Sequence, residues 1–144
     1  MDIRLSMYGS TGGYDLSPAD YPSIRHYGYV EREKAIEIIK SADFIVNVDN
    51  ENCVMTPSKI VECIATGRPV INISNPDINY PPMDDYIEIG YAISITNTEI
   101  TEFDAQEVSK FINKHIGTRE APASVINSIL SDHLLEVVAH RYLK

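Results

Sequence analysis

Two apolar runs, DFIVNVD at 43–49 and RPVINIS at 68–74, are separated by one segment that carries the start and stop signals of a single short helix. Thr56 suits an N-cap, and Pro57 suits the first helical position, where its missing N–H is not needed. Gly67 suits the left-handed position that closes a helix, and Pro69 blocks continuation. The signals predict a helix over roughly 57–66. A strand, a short helix and a second strand form the unit of a parallel sheet with a right-handed crossover. This unit fixes the class of fold that the remaining residues must complete.

The rest of the chain agrees with it. IRLSMY at 3–8 reads as a strand ending at Gly9, followed by a Gly, Ser, Asp and Pro-rich loop with no helical pattern. RHYGYV at 25–30 reads as a second strand. In EREKAIEIIKSA, the residues Ala35, Ile38, Ile39 and Ala42 form one stripe of an amphipathic helix. The run at 43–49 is apolar at 44, 45, 46 and 48, which predicts a strand covered on both faces. NPDINYPPMDD is expected to be a loop, and YAISIT at 91–96 a fifth strand. Beyond it, Asp104 with Glu107 suggests a capping box, and Val108, Phe111, Ile112 and His115 a buried stripe. Leu134, Leu135, Val138 and Tyr142 are expected to face inward from a closing helix. The expected fold is α/β: a Rossmann-like parallel sheet of about five strands with helices on both faces, in one domain over 1–144.

Composition narrows the function. The net charge is −9, with only 12 Lys and Arg, scattered along the chain. Phosphate-backbone binding needs clustered basic residues, so nucleic acid is not an expected partner. A small phosphorylated ligand remains compatible, because a helix N-terminus and one Lys can hold a diphosphate against an unfavourable global field. No apolar run reaches membrane-spanning length and the first residues do not resemble a signal peptide, so a cytoplasmic location is expected. Cys53 and Cys63 match no zinc or redox spacing and read as buried free thiols. His133 and His140 lack a carboxylate or thiol at ligand spacing, and no metal is expected. No nucleophile triad has a local signature. Asp43 and Asp49 flank a strand as in a phospho-acceptor domain, but the accompanying acidic pair and late Lys are missing.

The helix between the two apolar runs is the candidate site. Ile60, Ile64 and Gly67 share a face that can lie on the sheet, whereas Ser58 and Glu62 share another. In a parallel sheet this helix begins at the carboxyl edge, where ligands of open α/β sheets bind. The N–H groups of its first turn, the helix dipole and Lys59 favour a phosphate. Glu62 is placed to accept two hydrogen bonds from a vicinal diol, at about 1.5–3 kcal/mol each when water is excluded. The plainer alternative is a solvated surface pair of Lys59 and Glu62.

The run from His26 to Ile73 resembles the C-terminal, nucleotide-sugar-binding half of GT-B glycosyltransferases, particularly retaining enzymes of polysaccharide and lipopolysaccharide synthesis. The residues that carry the resemblance are a G-x-V turn at Gly28 and Val30, a helix ending in Ser41-Ala42-Asp43, and a strand. After these come P-S-K-x-x-E from Pro57 to Glu62 and A-x-G-x-P-V from Ala65 to Val70. The resemblance implies that Glu62 binds the donor ribose, with Ser58, Lys59 and the helix-start amides near the diphosphate, Tyr29 and Val30 near the base, and Thr56 also among the nucleotide-binding residues. Glu51, Asn52 and Cys53 would border the donor sugar. The segment from Gly9 to Gly13, with Gly9 and Ser10 as its candidate site residues, would form either a phosphate-side loop or a plain crossover turn.

It further implies a UDP- or GDP-sugar as substrate, no metal or other cofactor, and a missing N-terminal acceptor-binding domain as partner. The chain is then a donor half that is inactive alone, and a complete enzyme would be cytoplasmic and peripheral to the inner membrane. Retaining members often carry a second Glu eight residues before the ribose-binding one; position 54 is Val54, and Glu51 is the nearest acid. The alternatives are a non-catalytic Rossmann-like regulatory or interaction module and a sugar-nucleotide epimerase of the same architecture.

Overall fold

The computed structural model describes residues 3–13, 15–49, 58–96, 98–118 and 120–133. Among them the chain is α/β, with every strand pairing parallel. A two-stranded sheet joins β1 (Leu5–Met7) to β2 (Ile24–His26), and a three-stranded sheet has the order β3 (Ile45–Val48), β4 (Val70–Ser74), β5 (Ala92–Thr96). The helices are α1 (Arg32–Ser41), α2 (Ser58–Ala65), α3 (Pro81–Glu88), α4 (Glu102–His115) and α5 (Ala123–Ile129). The chain divides into two compact units, Met1–Ile38 and Ile39–Lys144.

In the first unit Leu5 is in register with Ile24 and Met7 with His26. The connection between these strands contains turns and no helix among the described residues, as its Gly and Pro content predicts. One turn is closed by Ser17, whose hydroxyl donates to Asp20 at 2.7 Å. Beyond the strand ends, the Gly9 N–H donates to the Gly28 carbonyl at 2.7 Å, and the His26 Nε2 lies 2.6 Å from the Gly9 carbonyl oxygen. The rings of Tyr8 and Tyr27 stack at 5.0 Å, inclined by 14°.

The second unit contains the main core. Ile45, Val70 and Ala92 stand side by side across β3, β4 and β5. They pack in one cluster with Ile60 and Ile64 of α2, Met83 and Tyr86 of α3, and Ile126 of α5. The buried Tyr86 places its hydroxyl 3.0 Å from the Arg68 carbonyl, which accepts its proton. A buried phenol with a hydrogen-bond partner avoids the desolvation cost that an unpaired one would carry. On α4, Phe111 meets Phe44 edge-on at 6.2 Å.

Three local expectations change. β3 is not covered on both faces: Val46 and Val48 are 40% and 60% exposed, while Asn47 between them is buried. The segment NPDINYPPMDD is not all loop, because α3 begins within it at Pro81. Pro81 and Pro82 occupy the first turn, where no intrahelical N–H is required, and Met83 and Tyr86 then fall on the buried face. The cap of α4 lies one turn earlier than expected. Thr101 is the N-cap and Asp104 the N3 residue of a reciprocal capping box, with Asp104 N–H donating to Thr101 Oγ1 at 3.2 Å and Thr101 N–H to Asp104 Oδ2 at 2.8 Å. Glu107 pairs with Lys110 at 2.6 Å. The expected stripe is present, with Phe111 and His115 buried and Val108 and Ile112 half-buried. Leu134, Leu135, Val138, His140 and Tyr142 lie outside the described residues.

Candidate functional site

Because β3, β4 and β5 run in the same direction and in register, Val48, Ser74 and Thr96 end at one edge. This is the carboxyl edge, where parallel sheets receive ligands. α2 begins at Ser58, and the division of its faces follows its sequence. Ile60 and Ile64 are fully buried and Gly67 is buried beyond the last turn, whereas Lys59 and Glu62 are exposed. Gly67 has φ +71°, and its N–H donates to the Ile64 carbonyl at 2.9 Å, so it closes the helix in the left-handed conformation.

Cys63 is buried on the inner side of α2. Burial pushes its thiol up to about 11, the Glu62 carboxylate adds to the effect, and Lys59 opposes it. A thiol held in this way is protonated at neutral pH and is no nucleophile.

The expected site residues fall into three groups. Ser58, Lys59 and Glu62 all belong to α2 of the second unit. Gly9, Ser10, Tyr29 and Val30 belong to the first unit, where the Gly9 to Gly28 hydrogen bond joins the loop to the turn that precedes Tyr29. Ser10 Oγ accepts from the Gly12 N–H at 3.1 Å, Tyr29 is 82% exposed and Val30 half-buried. Glu51, Asn52, Cys53 and Thr56 lie outside the described residues.

Across the middle of the same sheet runs a polar row that the sequence pattern alone does not single out. Asn47, Asn72 and Ser94 are in register across the three strands. Asn47 Nδ2 donates to Asn72 Oδ1 at 2.7 Å and to Asp49 Oδ1 at 3.0 Å, and Asn72 Nδ2 donates to Ser94 Oγ at 3.3 Å. Asp49 Oδ2 accepts the Asn75 N–H at 3.2 Å, linking the end of β3 to the residue after β4. Asn47, Asp49, Asn72 and Asn75 are all buried. Their mutual hydrogen bonds offset a desolvation cost of about 1–3 kcal/mol for each group left unpaired. The signal was present as period two: IVNVD, VINIS and AISIT each place polar residues at alternate positions among apolar ones. This row opens into a cleft of about 140 Å³ bordered by the start of α3. Among the described residues no group of three His, Cys, Asp or Glu side chains could hold a metal ion, and no helix is long and apolar enough to cross a membrane.

No protein-family model matches the chain. No curated protein matches it either. Among solved structures, the crystal structure of the GtfA/B complex is similar, with a TM-score of 0.56 at 13% identity over 97% of this chain. The chain spans 28% of the length of that protein. At such low identity the likeness establishes the fold alone, that of a Rossmann-like α/β domain.

Proposed function

We propose that the chain is the donor-binding domain of a GT-B glycosyltransferase acting in polysaccharide or glycoconjugate synthesis, and that it binds a UDP- or GDP-sugar without a metal. The observation that carries this reading is α2. Its apolar face is buried at a parallel carboxyl edge while Lys59 and Glu62 stay exposed within its first turns. Glu62 would accept the ribose hydroxyls. The amides at the helix start, with Lys59, would stabilise charge that develops on the diphosphate as the glycosidic bond breaks. An acceptor-binding domain is required for transfer, so these residues alone bind donor and transfer nothing.

The test is an NMR titration of the labelled chain with UDP and, separately, GDP, repeated on Glu62→Ala. Shifts over residues 58–62 that weaken in the variant support the reading and name the base. Saturating nucleotide without such shifts, or shifts indifferent to Glu62→Ala, would favour a non-catalytic Rossmann-like module. Val54 at the place of a second Glu, together with the net charge of −9, supports that alternative.

A further inference from the structure

The cleft between the polar row and α3 has a chemistry of its own. Its lining includes the polar residues Asp49, Asn72, Ser74, Asn75, Asn79 and Ser94. Amides and hydroxyls both donate and accept, and a carboxylate accepts only. Such a mixed wall suits a ligand whose own groups both donate and accept, which is the property of a sugar hydroxyl. Tyr80, Met83 and Ile87 line the same cleft and supply apolar surface for the C–H face of a ring.

Charge limits the ligand further. No Lys, Arg or His lines the cleft among the described residues, whereas Asp49 and Asp84 do. A phosphate or a carboxylate would therefore be desolvated against like charge without a compensating cation. The volume of about 140 Å³ is well below the ~300–1,000 Å³ of pockets that hold drug-sized ligands. A space of this size can seat one ring and cannot enclose a whole nucleotide.

We infer that this cleft is a binding site for one neutral, unphosphorylated monosaccharide unit, separate from the α2 surface assigned to the nucleotide. The inference does not rest on the nucleotide reading. The two involve different residues of the second unit, so each can fail without the other.

The experiment is an NMR titration of the labelled full chain with methyl hexopyranosides and short neutral oligosaccharides. A hexose 6-phosphate, a hexuronic acid and Ca²⁺ alone are the controls. The expected result is saturable millimolar binding of the neutral sugars, with shifts at Asn72, Ser74, Asn75, Asn79 and Ser94 and none over 58–62. Free glycoside and chain end are distinguished by which of the two neutral sets binds more tightly. Ser94→Ala and Asn79→Ala replace exposed side chains and are expected to keep the spectrum of the folded chain while weakening binding several-fold. No cleft shifts at tens of millimolar sugar, a response to the anions or to Ca²⁺ but not to neutral sugars, or unchanged binding in both variants would each overturn the inference.

Discussion

His115 Nε2 lies 2.8 Å from the carbonyl oxygen of Gly90, joining the last turn of α4 to the turn that follows α3. The carbonyl can only accept, so Nε2 carries the proton in the neutral ring. The imidazole is buried against Phe111 at 4.6 Å and Tyr91 at 5.3 Å. Burial holds its pKa below the ordinary value; the Gly90 hydrogen bond opposes this and the neighbouring Lys114 charge reinforces it. In the unfolded chain a His titrates near about 6.5. The unfolded state therefore binds more protons than the folded one once the pH drops below that value, and stability falls with it until the folded pKa is passed. Urea denaturation is expected to show a loss of stability as the pH is lowered through about 6.5, with the His-dependent part of the slope absent in His115→Gln.

Gly67→Ala is expected to destabilise the second unit by ~2 kcal/mol or more, from left-handed strain and overpacking together. At φ +71° an added Cβ would stand 3.0 Å from Ile126 Cδ1 and 3.2 Å from the Ala121 backbone nitrogen. That nitrogen already donates to the Gly67 carbonyl at 2.9 Å, so the backbone has little room to yield. A shift of the denaturation midpoint without a change in m-value would measure it.

Cys63 is expected to resist thiol–disulfide exchange in the folded chain at pH values well below its raised pKa of about 11. In a Cys53→Ser background, labelling by Ellman's reagent should be slow and should accelerate with added urea, following the unfolding transition. Rapid native-state labelling would contradict the burial of the thiol.

Thr101→Ala removes the side-chain acceptor of the α4 capping box and is expected to cost about 1 kcal/mol. Asp104, held below the ordinary carboxylate range chiefly by its hydrogen bonds to Thr101, should return toward the usual value in this variant. The native contribution is present above the unfolded carboxylate pKa and lost as the pH falls through the lower folded one. Carboxyl chemical shifts followed against pH in both proteins would show the change.

The strands and α2 were legible because each carries a periodic or punctuated signal of its own. Ile60, Ile64 and Gly67 gave the buried side of α2 before any coordinates did. α3 was not legible as a helix, because Tyr80-Pro81-Pro82 resembles a turn until Pro is placed in a first helical turn. The crossover from β4 to β5 could have revealed it, since two parallel neighbours need a connecting element there. The polar row was hidden for a different reason. Asn47, Asn72 and Ser94 are unremarkable one at a time, and only strand register brings them into line. Asn47 also inverts the usual pattern by facing inward between two exposed valines, which propensity at single positions cannot show.

Leu5 meets Ile24, Ile45 meets Val70, and Val70 meets Ala92, so no strand pairing among the described residues is closed by a hairpin. Each must wait until an intervening turn or helix has brought distant parts of the chain together, and loop-closure entropy is spent before any sheet contact returns it. Refolding should therefore be slower than for a helical protein of this length. The exposed Val46 and Val48 of β3 would leave the unpaired strand open to self-association during that interval.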